Sequence, residues 1–114
     1  MIKFALCDDN VQVLSKLKEM LEKIFLKYDY RATIVFTASN PEDLLNYLNT
    51  NTVDVLFLDI DLNSTLNGIE MAKQIRKTNK FIYIIFITDI LNTLFRLMNA
   101  RRLILFISHL IFIH

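Results

Sequence analysis

Residues 53–68 read Val53-Asp54-Val55-Leu56-Phe57-Leu58-Asp59-Ile60-Asp61-Leu62-Asn63-Ser64-Thr65-Leu66-Asn67-Gly68. Val53–Leu58 is a largely apolar, β-branched and aromatic run, too short for a typical helix, and it has the pattern of a strand buried on both faces. It stops at a carboxylate, Asp59. A polar loop follows and ends at Gly68, after which Ile69–Lys77 resumes at helical spacing with Met71, Ala72 and Ile75 apolar. A buried strand, a strand-end acid, a loop and a helix form one βα unit, the building block of parallel sheets.

The same unit recurs on both sides. Upstream, Ile2–Cys7 is a near-continuous apolar run ending at Asp8-Asp9, and Asn10 can cap a helix with Val11, Leu14, Leu17, Leu21, Ile24, Phe25 and Tyr28 on one stripe. Thr33–Thr37 is a second strand. Asn40-Pro41-Glu42-Asp43 opens another helix, with a cap residue, Pro at the first position and acids facing the helix dipole. Downstream, Phe81–Ile87 is a fourth strand. The order βαβαβαβ predicts an α/β doubly wound parallel sheet with helices on both faces and right-handed crossovers.

Composition agrees with one folded domain. The chain has 114 residues, 54% hydrophobic and 22% charged, which excludes disorder from low hydrophobicity. One cysteine excludes a disulfide framework; Cys7 reads as a buried small hydrophobe, and Met20 and Met71 as core. Residues 1–80 balance ten Lys/Arg against eleven Asp/Glu, so there is no basic nucleic-acid footprint. No signal peptide is visible. Phe81–Ile87 and Leu103–Ile113 fall short of the roughly 20 residues of a membrane helix, so a cytoplasmic location without membrane contact is expected.

In open parallel sheets, ligands bind beyond the carboxyl ends of the strands. Here strand one ends in Asp8-Asp9, strand three in Asp59 and strand four in Thr88. One sheet would bring three carboxylates and a hydroxyl to one edge, a cluster that repels itself unless a hard cation such as Mg²⁺ sits in it. Each residue alone has a plainer reading: capping for Asp8-Asp9, a turn for Asp61, a β-branched strand end for Thr88. Their joint placement favours the functional one.

The segments ALCDDN, FLDIDLNSTLNGIEMAKQIR and FIYIIFITD together resemble the receiver domain of bacterial two-component response regulators. More narrowly, they are similar to the quorum-sensing type whose receiver precedes a LytTR DNA-binding domain. The resemblance runs from Met1 to about Asp89 and rests on the acidic pair, the strand-end Asp, Gly nine residues later and Thr closing strand four. It implies a flavodoxin-like sheet of order 2-1-3-4-(5). It also implies Asp59 as phosphoacceptor from a sensor histidine kinase, a regulatory role in transcription, and Mg²⁺ held by Asp9 and Asp59, by Asp8 through water and by the Asp61 carbonyl. Thr88 becomes the switch hydroxyl and Gly68 a loop glycine that lets the backbone turn. A homodimer is compatible with this reading; direct nucleic-acid binding by this stretch is not expected.

Residues 90–114 depart from the pattern. They contain no Lys, Pro, Gly or acid, and their cations are Arg96, Arg101 and Arg102 alone. The family's phosphate-binding lysine therefore has no counterpart here. Asp89–Thr93 can be encoded GAT-ATT-TTG-AAT-ACT, and one C restored after GAT gives a frame reading DHFEY. With suitable synonymous codons, 94–110 then continue as SFQTYECKAFDFIYKPF, similar to the family's missing helix, strand and Lys-Pro. Thus 1–89 reads as a receiver core and 90–114 as an aberrant hydrophobic tail from a one-base deletion, with the DNA-binding domain absent. His109 and His114 need no role. Without a proper fifth strand, Phe81–Ile87 becomes an exposed apolar edge, beside which Leu103–Ile107 is β-prone enough to pair.

Parts of the pattern fit two other functions. Asp59-Ile60-Asp61 resembles the DxD nucleophile of haloacid-dehalogenase-like phosphatases, but the acidic pair precedes it and only Asp89 follows strand four. A non-phosphorylated pseudo-receiver that titrates partners is disfavoured by intact Asp8, Asp9, Asp59 and Thr88. The expectation is a signalling domain rather than an enzyme.

Overall fold

The computed structural model describes residues 1–60, 62, 67–87 and the backbone of 112–113. Its elements are β1 (Ile2–Cys7), α1 (Val11–Lys27), β2 (Ala32–Ala38), α2 (Pro41–Thr50), β3 (Val55–Asp59), α3 (Gly68–Thr78), β4 (Tyr83–Ile87) and β5 (Phe112–Ile113). The sheet order is β2-β1-β3-β4-β5. The first four strands are parallel, as the βα alternation predicts. β5 differs: it is two residues long and antiparallel, setting Ile113 against Ile84 and Phe112 against Ile85. The anticipated partner segment 103–107 lies outside the described residues.

Local chemistry sets the helix starts. The Asn10 side chain accepts from the Gln12 and Val13 amides at 3.0 and 3.3 Å, and that of Asn40 from the Asp43 amide at 2.9 Å, with Pro41 supplying a preset φ. Asn67 does the same for Glu70 at 2.9 Å. Two apolar layers flank the sheet. On one face α1 buries Leu14, Leu17, Leu21 and Phe25 against Leu6, Phe57 and Ile87. On the other, Leu44 of α2 and Met71, Ala72 and Ile75 of α3 cover Ala5, Leu56, Leu58 and Ile84.

Several boundaries shift for identifiable reasons. β3 begins at Val55 because Asp54 is engaged in a clasp with β1: its carboxylate accepts from the Lys3 amide and its own amide donates to the Lys3 carbonyl, both at 2.8 Å. β4 begins at Tyr83 because Asn79 Oδ1 holds the Phe81 and Ile82 amides in a turn, leaving Phe81 91% exposed. Val11 and Tyr28, expected on the apolar stripe of α1, are exposed at its two ends. Among the described residues, no helix is long and apolar enough to cross a membrane.

Candidate functional site

Parallel pairing of β1 with β3 sets Cys7 against Leu58, so the next residues, Asp8 and Asp59, fall side by side at the carboxyl edge. Asp59 in turn pairs with Ile87 at the end of β4. Asp8, Asp9 and Asp59 each offer a carboxylate oxygen, and these three oxygens lie within 4.8 Å of one another. Asp8 and Asp59 are buried, at 1% and 2% exposure, while Asp9 is half-buried at the rim.

The two oxygens of Asp8 have different fates. Oδ1 accepts the Asn10 amide at 2.8 Å, whereas Oδ2 is buried without a hydrogen-bond partner. Burial pushes the Asp8 carboxyl up to about 6; the neighbouring Asp9 carboxylate adds to that rise, and the Asn10 amide and the adjacent Asp59 carboxyl oppose it. An unsatisfied buried oxygen among carboxylates is a costly arrangement. A hard divalent cation relieves it by supplying positive charge to oxygen ligands. The donor set therefore fits Mg²⁺: all oxygen, from two strand ends, with one oxygen lacking any other partner.

Cys7, one residue before the pair, is fully buried, and its Sγ lies 3.9 Å from the Asn40 carbonyl oxygen. Desolvation, then the charges of Asp8, Asp59, Asp9 and Asp43, push its thiol up to about 12. It behaves as the small hydrophobe that the sequence suggests.

A family model of the response regulator receiver domain matches residues 4–101 of the chain. The chain belongs to the response regulator receiver family. It is similar to accessory gene regulator protein A of Staphylococcus aureus, 27% identical over 89 residues, covering 77% of this chain and 37% of that protein. This receiver thus spans little more than a third of the curated relatives it matches. Among solved structures it resembles the RcsB response regulator of Salmonella typhimurium (TM-score 0.67, 23% identity, 85% of this chain and 50% of that one). It also resembles the beryllofluoride-activated DrrB receiver domain (TM-score 0.60, 28% identity, 77% of this chain and 66% of that one).

Of the site residues expected from the receiver pattern, Asp8, Asp9 and Asp59 are brought together. Asp61 and Thr88 lie outside the described residues, as do Asp89 and the tail cations. Gly68 plays a different part from the loop glycine expected. It does not serve a turn, since no glycine has positive φ; it is the first residue of α3. A Cβ there would fall on the Asp59 carbonyl oxygen, 2.7 Å from Ile60 Cα and 2.9 Å from the Asp59 carbonyl carbon. The absent side chain is needed for close approach, not for backbone freedom. Sequence reasoning also missed Ile60, whose amide donates to the Ile87 carbonyl at 2.9 Å and whose carbonyl accepts from Gly68 at 2.8 Å. Both contacts are main-chain, so no side-chain signal announces them.

Proposed function

We propose that this receiver takes a phosphoryl group onto Asp59 from a sensor histidine kinase, with Mg²⁺ held by Asp8, Asp9 and Asp59. The observation that carries it is the convergence of three carboxylate oxygens within 4.8 Å at the carboxyl edge, two of the acids being buried. Asp59 closes β3 and is held by main-chain pairing, so its carboxylate is presented from a rigid element. In the reaction an Asp59 oxygen forms a bond to phosphorus while the phosphorus–nitrogen bond of the donor phosphohistidine breaks, returning the electron pair to the imidazole. Mg²⁺ held by these acids would supply positive charge to the transferring group, which is where such chemistry gains most of its rate. Asp9 is the more accessible of the three acids, and the buried Asp8 supplies the oxygen that lacks a hydrogen-bond partner.

Thr88, immediately after β4, is proposed as the hydroxyl that answers the phosphoryl group, and the Asp61 carbonyl as a further cation ligand. The product is a phosphorylated domain that signals to transcription, not a multiple-turnover phosphatase, and lack of the phosphate-binding lysine in 90–114 is expected to slow the response. The test is incubation with Mg²⁺ and radiolabelled acetyl phosphate. We expect acid-stable, base-labile label that is lost in Asp59→Asn and without Mg²⁺. Label retained in Asp59→Asn but lost in Asp8→Ala/Asp9→Ala would overturn the assignment, and sustained hydrolysis of a phosphomonoester would revive the phosphatase reading.

A further inference from the structure

We infer that Gly68 is a positioning residue for the phosphoryl-transfer step: its lack of a side chain lets the start of α3 lock the main chain that carries Asp59. This rests on the phosphoacceptor reading of Asp59.

The peptide after Asp59 is fastened from two directions. The Ile60 amide donates to the carbonyl of Ile87, the last residue of β4, at 2.9 Å. The Ile60 carbonyl accepts from the Gly68 amide at 2.8 Å. The second bond exists only because α3 comes down directly onto the strand end. A Cβ on Gly68 would meet Asp59 and Ile60 backbone atoms, not the far end of a flexible side chain. Backbone cannot rotate aside, so either α3 lifts or Asp59 moves. Behind α3 stand Met71, Ala72 and Ile75, each nearly or fully buried against β1, β3 and β4. Close-packed interiors transmit such strain rather than absorb it, which directs the displacement toward the strand end. Displacement of about 1 Å in a reacting group can cost on the order of 100-fold in rate.

Gly68→Ala is compared with Ile75→Ala, which empties a buried position about two turns further along the same helix. Both are assayed with acetyl phosphate and saturating Mg²⁺, at a temperature where circular dichroism shows equal folded fractions. We expect Gly68→Ala to label Asp59 at least about tenfold more slowly per folded molecule than Ile75→Ala. Its Ile60 amide NMR resonance should shift away from the wild-type position, while that of Ile75→Ala stays. Equal labelling rates in the two variants, or an unmoved Ile60 resonance, would overturn the inference. If Gly68→Ala does not fold, hydrogen exchange in the wild type decides: Gly68 and Ile60 amides protected to the level of the β3 core support the lock, and rapid exchange at either sinks it. A wild type that takes no label at Asp59 overturns the phosphoacceptor reading itself.

Discussion

The buried Asp8 carboxylate contributes to the stability of the metal-free protein a pH dependence opposite to the usual acid trend. Its folded value is about 6, against 3.8 for the ordinary group, raised chiefly by burial. Between those values the folded state binds more protons at this site than the unfolded state does. Stability contributed here is therefore greatest below about pH 4, falls as pH rises through 6, and is flat above. The shift corresponds to about 3 kcal/mol at one pKa unit per ~1.4 kcal/mol. With urea m values of about 1–3 kcal/mol/M, that is a movement of roughly 1–3 M in midpoint. Other carboxylates add their own acid-side slope, so the quantity to measure is the difference between wild type and Asp8→Asn. The asparagine keeps an oxygen to accept the Asn10 amide and removes the charge. Urea unfolding followed by far-ultraviolet circular dichroism, in EDTA from pH 4 to 8, should show Asp8→Asn gaining on wild type as pH rises, by up to about 3 kcal/mol at pH 7. Mg²⁺ should close most of that gap, adding about 2.7 kcal/mol to wild type at 100 times its Kd and little to the variant. A difference curve that is flat, or that slopes the other way, refutes the claim that Asp8 is buried at a cost which a cation offsets.

Cys7 should resist alkylation in the native state at pH 8 and react only at the rate of unfolding, since its thiol is buried and pushed up to about 12; prompt labelling by a thiol reagent would show the strand end to be open. Asn40→Ala should cost about 1 kcal/mol by urea unfolding, because the Asp43 amide loses its cap, and leave the phosphorylation rate per folded molecule unchanged. The coding DNA across codons 85–114 should, with one base restored near codon 90, read HFEYSFQTYECKAFDFIYKPF; a closed or nonsense frame there would assign residues 90–114 to the native protein.

The parallel sheet was legible because buried parallel strands leave nearly continuous apolar runs, and β1, β3 and β4 each draw on one. Their exact ends were not. Asp54 and Phe81 look like strand residues until the clasp with Lys3 and the turn around Asn79 draw them out. Asp8, Asp9 and Asp59 were legible as a cluster because each lies at or just past the end of a strand, and a strand end is a fixed place in such a fold. What the sequence treats alike, the structure separates: Asp8 is sealed and Asp9 half-open. That difference comes from tertiary packing, which no spacing encodes. The antiparallel β5 was unreadable for a related reason, since two apolar residues among many carry no periodicity of their own.

The fastening at Ile60 has a consequence for how this site tolerates mutation. Because it consists of one amide and one carbonyl, many side chains at position 60 would preserve it, subject only to the half-buried apolar contact that Ile60 makes. Proline is the exception, since it has no hydrogen to give to Ile87. Chemical character can drift at position 60 while phosphoryl-transfer geometry stays put; at position 68 even one methyl group is too much. The alignment of the reacting carboxylate is thus inherited through main-chain geometry, in a form that residue identity at position 60 barely records.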